Sequence, residues 1–191
     1  IMGDKRALQA GTSHYLGQNF AKAFDVTFQS EDNKQELVYA TSWGVSTRLI
    51  GALIMVHGDE KGLRLPPKVA PHQVVVVPIA KSQGDVDKVL EYINTILSAL
   101  SEKNIRVHID GRLTVTPGYK FNEWEMKGVP LRIEVGKRDI ENNSVVLVRR
   151  DNGEKMKVNK ENVAQEIESS LELIQSNLFD EALKFRNKNT F

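Results

Sequence analysis

Arg48 stands where a cation is least expected. The stretch TSWGVSTRLIGALIMVHGDEKGLRLPP, residues 41–67, passes from small and β-prone residues through Ser-Thr-Arg. It then enters a run, residues 49–56, that is apolar apart from Gly51. Ser46 suits the N-cap of a helix beginning at Thr47, which puts Arg48 in the first turn. The helix dipole favours anions at that end, so a guanidinium there requires a negative partner. A ligand phosphate or carboxylate fits, and so does a neighbouring Asp or Glu side chain. The spacing leaves both open, and it predicts a buried helix behind Arg48. A second cluster, Gly11-Thr12-Ser13-His14, sets hydroxyls beside an imidazole. It reads either as the rim of a polar pocket or as a plain turn with an incidental histidine, and taken alone the turn is the better reading.

The elements around these residues follow from periodicity. Residues 7–15 read as a strand with a glycine interruption, and residues 16–24 as a short helix. Residues 25–29 and 36–41 form a hairpin across a polar loop. With the helix behind Ser46 this is an α+β arrangement, an antiparallel sheet carrying a helix on one face. Pro66, Pro67 and Pro71 close it, because proline removes backbone donors and disfavours helix before it. The boundary is expected there, giving domains 1–68 and 69–191. Beyond it, residues 72–79 contain the run Val74–Val77, typical of a strand buried on both faces. Residues 85–103 have a helical period in Val86, Val89, Leu90, Ile93, Ile96, Leu97 and Leu100, stopped at Asn104. Residues 105–109 form the next strand, so the unit is βαβ and its strands are parallel. A helix opened by Thr116-Pro117-Gly118, strands at 129–135 and 144–149, and a hairpin turned by Asp151-Asn152-Gly153 complete an α/β domain. The last helix, capped by Asn159, carries Val163, Ile167, Leu171, Ile174, Leu178 and Ala182 and is expected on the sheet. A coiled-coil dimer is the lesser alternative. Residues 185–191 close the chain as a polar, basic tail.

The 191 residues are 40% hydrophobic and 27% charged, enough for a sizeable core. A net charge of +1 argues neither for nor against nucleic acid, so any basic surface is local. The chain has no cysteine, and its four histidines lack ligand spacing, so no metal site is expected. No window approaches ~18 uninterrupted apolar residues, and no signal peptide is visible, which predicts a cytoplasmic protein. The chain starts at Ile1 directly in patterned sequence, which suggests a fragment.

Three stretches in this order resemble the prolyl-tRNA synthetase family of the archaeal and eukaryotic-like type: QAGTSHYLGQNF (residues 9–20), the stretch 41–67, and TPGYKFNEWEMKGVPLRIEVGKRD (residues 116–139). The likeness covers nearly the whole chain. The second stretch is similar to that family's motif 3, with Arg48 its arginine. The implied architecture is the remnant of a class II synthetase antiparallel sheet with the motif 3 helix. After it comes an α/β anticodon-binding domain with a mixed sheet and a C-terminal helix. Motif 1, which builds the dimer, motif 2 and the C-terminal extension have no counterpart here.

The resemblance implies an ATP-dependent proline–tRNA ligase that uses ATP and Mg2+, proline and tRNA(Pro), and that is a homodimer at full length. It implies ATP contacts at Gln9, Thr12, Ser46 and Arg48, with Arg48 catalytic, and a proline pocket of His14, Ser42, Trp43 and Gly44. Ala10 stands where some relatives have Gly. The third stretch becomes the tRNA contact, with Lys120, Phe121, Glu125, Lys127, Arg132 and Arg138 expected to bind the anticodon. Cations hold phosphates, an aromatic ring stacks on an unpaired base, and a carboxylate accepts from guanine's amino edge. Phe121 and Trp124 serve equally well as core, which for Trp124 is the better reading. Arg149-Arg150 reads as a second phosphate contact or as a solvated hairpin end. Two alternatives remain. One is a non-catalytic tRNA-binding protein that reuses the anticodon-binding fold. The other is a synthetase for threonine, glycine or histidine, although the first would be expected to show a zinc-ligand set with cysteine.

Overall fold

A computed structural model describes residues 1–190, and the chain divides into two units that part between Met55 and Val56. The first unit holds β1 (Thr12–Gly17), α1 (Asn19–Phe24), β2 (Thr27–Gln29), β3 (Gln35–Leu37), β4 (Ala40–Gly44) and most of α2 (Arg48–His57). Asp25 ends α1 in a left-handed conformation at φ 52°, a role that a short polar side chain fills at low steric cost. The expected hairpin forms as β2 paired antiparallel with β3, but it ends at Leu37, and Ala40 and Thr41, expected in the same strand, belong to β4. β1 instead pairs with β4, bringing Thr12 opposite Gly44 and His14 opposite Ser42. At the start of α2, Leu49 and Ile50 donate to the carbonyls of Ser46 and Thr47, a tight first turn. The expectation of a buried helix is corrected here: no residue of α2 is buried, and Ile50 is 63% exposed. The sheets of this unit have two strands each, and among the described residues α2 makes no extensive contact with either.

The second unit opens with β5 (Gly58–Asp59) and β6 (Gly62–Leu63), a small hairpin that periodicity does not reveal. It continues through β7 (Val74–Ile79), α3 (Gln83–Glu102), β8 (Val107–Ile109), α4 (Pro117–Met126), β9 (Leu131–Gly136), α5 (Lys137–Glu141), β10 (Ser144–Arg149), β11 (Lys155–Asn159) and α6 (Val163–Lys188). The sheet has five strands in the order β11-β10-β9-β7-β8. β7 is parallel to both β8 and β9, and β10 is antiparallel to β9 and β11, so the sheet is mixed as expected.

Val74 to Val77 have no exposed surface, and strand alternation divides them between two layers. Val74 and Val76 join Ile93, Leu100, Leu147, Ile167 and Ile174 beneath α3 and α6. Val75 and Val77 meet Trp124 and Val129 on the α4 side. Burying each such side chain contributes about 1.5–3 kcal/mol. Asn104 closes α3 at φ 56°, with Asn104 N–H on the Ser101 carbonyl and Ile105 N–H on the Leu100 carbonyl. This pair of bonds satisfies two terminal carbonyls of the helix. Thr116 caps α4 by accepting from the Tyr119 N–H, and Pro117 takes the first helical position, where it has no donor to lose. Of the polar tail, residues up to Lys188 extend α6, and Phe191 lies outside the described residues.

Candidate functional site

In the first unit the β1–β4 register determines which side chains meet. Thr12, His14, Ser42 and Gly44 share one face of the ribbon, because residues two apart in a strand point the same way. They line a hollow of about 360 Å³ together with Gln9, Ala10, Gly11, Trp43, Val45, Ser46 and Arg48. Every residue expected to contact ATP or proline is therefore in one place. Arg48 donates from Nη1 to Gln9 Oε1 at 3.1 Å, and Gln9 Nε2 donates to Thr12 Oγ1 at 3.0 Å. The Arg48 backbone N–H points at Ser46 Oγ, 3.4 Å away. Among the described residues no carboxylate pairs with Arg48, so the guanidinium faces the hollow with its charge uncompensated. Trp43 lies opposite Ser13, on the other face of the ribbon from His14, and its side chain is 79% exposed. It borders the hollow.

In the second unit, α4 and β9 present the residues expected at the anticodon. Phe121, Glu125 and Arg132 line a hollow of about 280 Å³ with Lys61, Asn122, Arg149, Arg150 and Lys155. Arg132 lies 4.5 Å over the Phe121 ring and donates to Glu134 at 2.8 Å, and its side chain is 12% exposed. Glu125 accepts an ion pair from Lys61 at 3.2 Å.

The remaining three residues are placed elsewhere. Lys127 pairs with Glu123 at 2.7 Å and covers the Trp124 ring at 4.4 Å, beside this hollow and not in its lining. Arg138 is exposed on α5, past the carboxyl end of β9, and is separated from Arg132 by roughly 10 Å or more of extended strand. Lys120 is only 3% exposed and donates from Nζ to the Asp110 carbonyl at 3.1 Å. The expectation of a surface lysine is corrected by that burial, since an ammonium taken out of water requires a partner to stay charged.

Asp110 organises this side of the sheet. Its carboxylate accepts from Arg112 at 2.7 and 2.8 Å and from Trp124 Nε1 at 2.8 Å. Burial works against its ionisation, but the hydrogen bonds from Arg112 and Trp124 outweigh it and hold the carboxyl well below the usual range. Trp124 is therefore a core residue with a polar handle, 7% exposed. The two readings of Arg149-Arg150 give way to a third. Both side chains are buried and paired, Arg149 with Asp151 at 2.7 Å and Arg150 with Asp59 at 2.6 Å.

Lys61, Asn122 and Lys155 were not anticipated in this hollow. Lys155 alternates outward along β11, a pattern present in the sequence. Lys61 depends on how its hairpin docks, which no local pattern carries. Gly62 and Gly128 make that docking possible: both have positive φ, and a Cβ on Gly128 would lie 2.6 Å from the Leu63 Cβ.

Comparison with known proteins places this geometry in a family. Residues 73–170 match the family model described as anticodon binding domain. The chain is 55% identical over 190 residues to the proline–tRNA ligase of Natranaerobius thermophilus, covering 100% of this chain and 39% of that protein. It is 54% identical over 191 residues to the proline–tRNA ligase of Prosthecochloris aestuarii, again 100% of this chain and 39% of the relative. A crystal structure of prolyl-tRNA synthetase from Cryptosporidium parvum, complexed with L-proline and AMP, aligns with a TM-score of 0.85 at 47% identity. That alignment covers 96% of this chain and 39% of the other. The chain thus spans about two fifths of the length of these relatives. It belongs to the anticodon binding domain family, in the form carried by prolyl-tRNA synthetases.

Proposed function

We propose that this chain is part of an ATP-dependent proline–tRNA ligase, a cytoplasmic homodimer at full length. In it, residues 1–68 supply motif 3 of the catalytic domain and residues 69–191 recognise the anticodon of tRNA(Pro). The observation that carries the reading is the convergence of Gln9, Thr12, His14, Ser42, Gly44, Ser46 and Arg48 on one hollow. An arginine met only by a neutral amide is suited to an incoming polyphosphate. The similar structure complexed with L-proline and AMP gives both ligands a counterpart.

In this reading Arg48 neutralises the outer phosphates of ATP while the proline carboxylate attacks the α-phosphorus and pyrophosphate departs. Gln9, Thr12 and Ser46 hold the nucleotide, and His14, Ser42, Trp43 and Gly44 border the proline. The terminal ribose hydroxyl of the tRNA then attacks the carbonyl of the prolyl-adenylate, releasing AMP. These steps need alignment and charge stabilisation more than a general base. The lining of the hollow contains no Asp or Glu, so these residues do not ligate magnesium themselves. Mg2+ would reach the site on the phosphate oxygens.

On the second unit, Phe121, Glu125 and Arg132 face the anticodon, whose two consecutive guanines offer amino edges to a carboxylate and O6/N7 edges to a cation. Lys127 and Arg138 lie farther out and would hold the backbone, whereas Lys120 supports α4 from within. A purely tRNA-binding accessory protein is not favoured, because it has no use for the Arg48 hollow. The test is proline-dependent pyrophosphate exchange and tRNA(Pro) charging by the full-length protein. Activity with proline and not with threonine or glycine is expected, and exchange driven by another amino acid would overturn the assignment.

A further inference from the structure

The hairpin formed by β5 and β6 follows α2 without an intervening residue, and the His57 carbonyl accepts from the Arg64 N–H at 3.0 Å. Two residues of the anticodon-side hollow grip this hairpin. Arg150 donates from Nη1 and Nη2 to the Asp59 carboxylate at 2.9 and 2.6 Å. The same guanidinium donates from Nε to the Glu125 backbone carbonyl at 2.8 Å. Lys61, two residues beyond Asp59, pairs with the Glu125 carboxylate at 3.2 Å. Arg64, just past the hairpin, lies 3.8 Å from Asp59 and pairs with Glu181 at 3.1 Å. Glu125 thus meets the hairpin directly through its side chain, and its backbone carbonyl holds the Arg150 that grips Asp59. The Arg150 side chain is 5% exposed, so its fork has few alternatives to Asp59.

A guanine donating its amino group to Glu125 would compete with the Lys61 ammonium for the same oxygens, so occupancy of the hollow would change one of the ion pairs that hold the hairpin. A second tether, Asp59 to Arg150, is charge-assisted and bidentate, and through the Glu125 carbonyl on Arg150 it ties α4 to a residue two positions past the end of α2. The Arg150 hydrogen bond, working against partial burial, lowers the Asp59 carboxyl to about 2, so the tether stays ionised across the physiological range.

We propose that Asp59 is a positioning residue through which the occupied anticodon hollow sets the end of the motif 3 helix and, with it, the rate of tRNA charging. The inference rests on the functional reading above and adds a coupling between its two sites, a free energy that either occupant feels.

The test is a two-by-two comparison in the full-length synthetase. Charging efficiency, kcat/KM, is measured for tRNA(Pro) and for the same transcript with one anticodon guanine replaced by uridine. Both transcripts are tried with the unsubstituted enzyme and with Asp59→Asn. If the replacement costs the unsubstituted enzyme about a hundredfold, it is expected to cost the variant only about tenfold. Proline-dependent pyrophosphate exchange without tRNA stays within about twofold in Asp59→Asn. Arg150→Lys, which loses the rigid fork spanning the carboxylate and the Glu125 carbonyl, is expected to lose the same coupling with Asp59 intact. The inference is overturned if the base replacement costs the variants as much as the parent, or if exchange and charging fall together with the thermal midpoint. A parent enzyme that charges neither transcript overturns the functional reading itself, and this inference with it.

Discussion

Arg48 and Asp110 are charged residues with opposite surroundings, and they respond to substitution in opposite ways. Arg48 is exposed, and among the described residues its guanidinium hydrogen-bonds only to Gln9, so Arg48→Ala should leave the thermal midpoint nearly unchanged. In the full-length protein it should lower proline-dependent exchange by about a hundredfold or more, the scale of losing a preorganised charge at a reacting phosphate. Asp110 is 2% exposed and paired, so Asp110→Ala should cost about 3 kcal/mol in urea unfolding at pH 7 by leaving the buried Trp124 Nε1–H without an acceptor and Arg112 with Glu123 alone. Its depressed carboxyl also sets a pH dependence. The stabilising contribution is fully present above the unfolded value, near pH 4, and is lost as pH falls through the lower folded value. The decline in unfolding free energy below about pH 4 should therefore be shallower in Asp110→Asn than in the parent. Arg48 was legible because residue type and position conflicted locally. Lys120 was not, because a buried lysine and a surface lysine look identical until the Asp110 carbonyl is placed beside it.

Helix α3 and helix α6 were legible because each buries a stripe at spacings of three and four, and the stripe is written in consecutive sequence. Strand β7 was equally plain from its valines. The hairpin of β5 and β6 and the short helix α5 were not. Each has too few residues to show a period, and each is held by distant or single contacts: Asp59 to Arg150 for the first, and Gly136 N–H to Asp139 for the second. Two substitutions test the element-level account. Thr116→Ala removes the α4 cap and should cost about 1 kcal/mol. Gly128→Ala introduces both a positive-φ strain and a clash with Leu63, and should cost about 3 kcal/mol or more. The α2 helix shows the converse limit. Its apolar run correctly indicated a helix, but burial depends on what covers the face, which the run itself does not encode.

At the scale of the molecule, sequence and structure agree on an antiparallel α+β portion followed by a mixed α/β sheet with a C-terminal helix. Where those portions divide is read differently. The prolines mark residue 68, whereas the contacts part at Met55 and Val56, because the β5–β6 hairpin packs with the second unit. We retain 1–68 and 69–191 as the proposed evolutionary domains, with the hairpin as the piece that makes the compact units differ from them. The 191 residues alone should show no proline-dependent pyrophosphate exchange, since the Arg48 hollow is wide and its residues are largely exposed. Their anticodon surface should work without the rest. The most direct measurement is binding of this chain to a 17-nucleotide-scale anticodon stem-loop (about 5 base pairs and a loop), titrated at two salt concentrations. The account predicts weak binding that falls with salt and is about tenfold tighter for a loop with two consecutive guanines than for the same loop with uridines there. Equal affinity for both loops would contradict it.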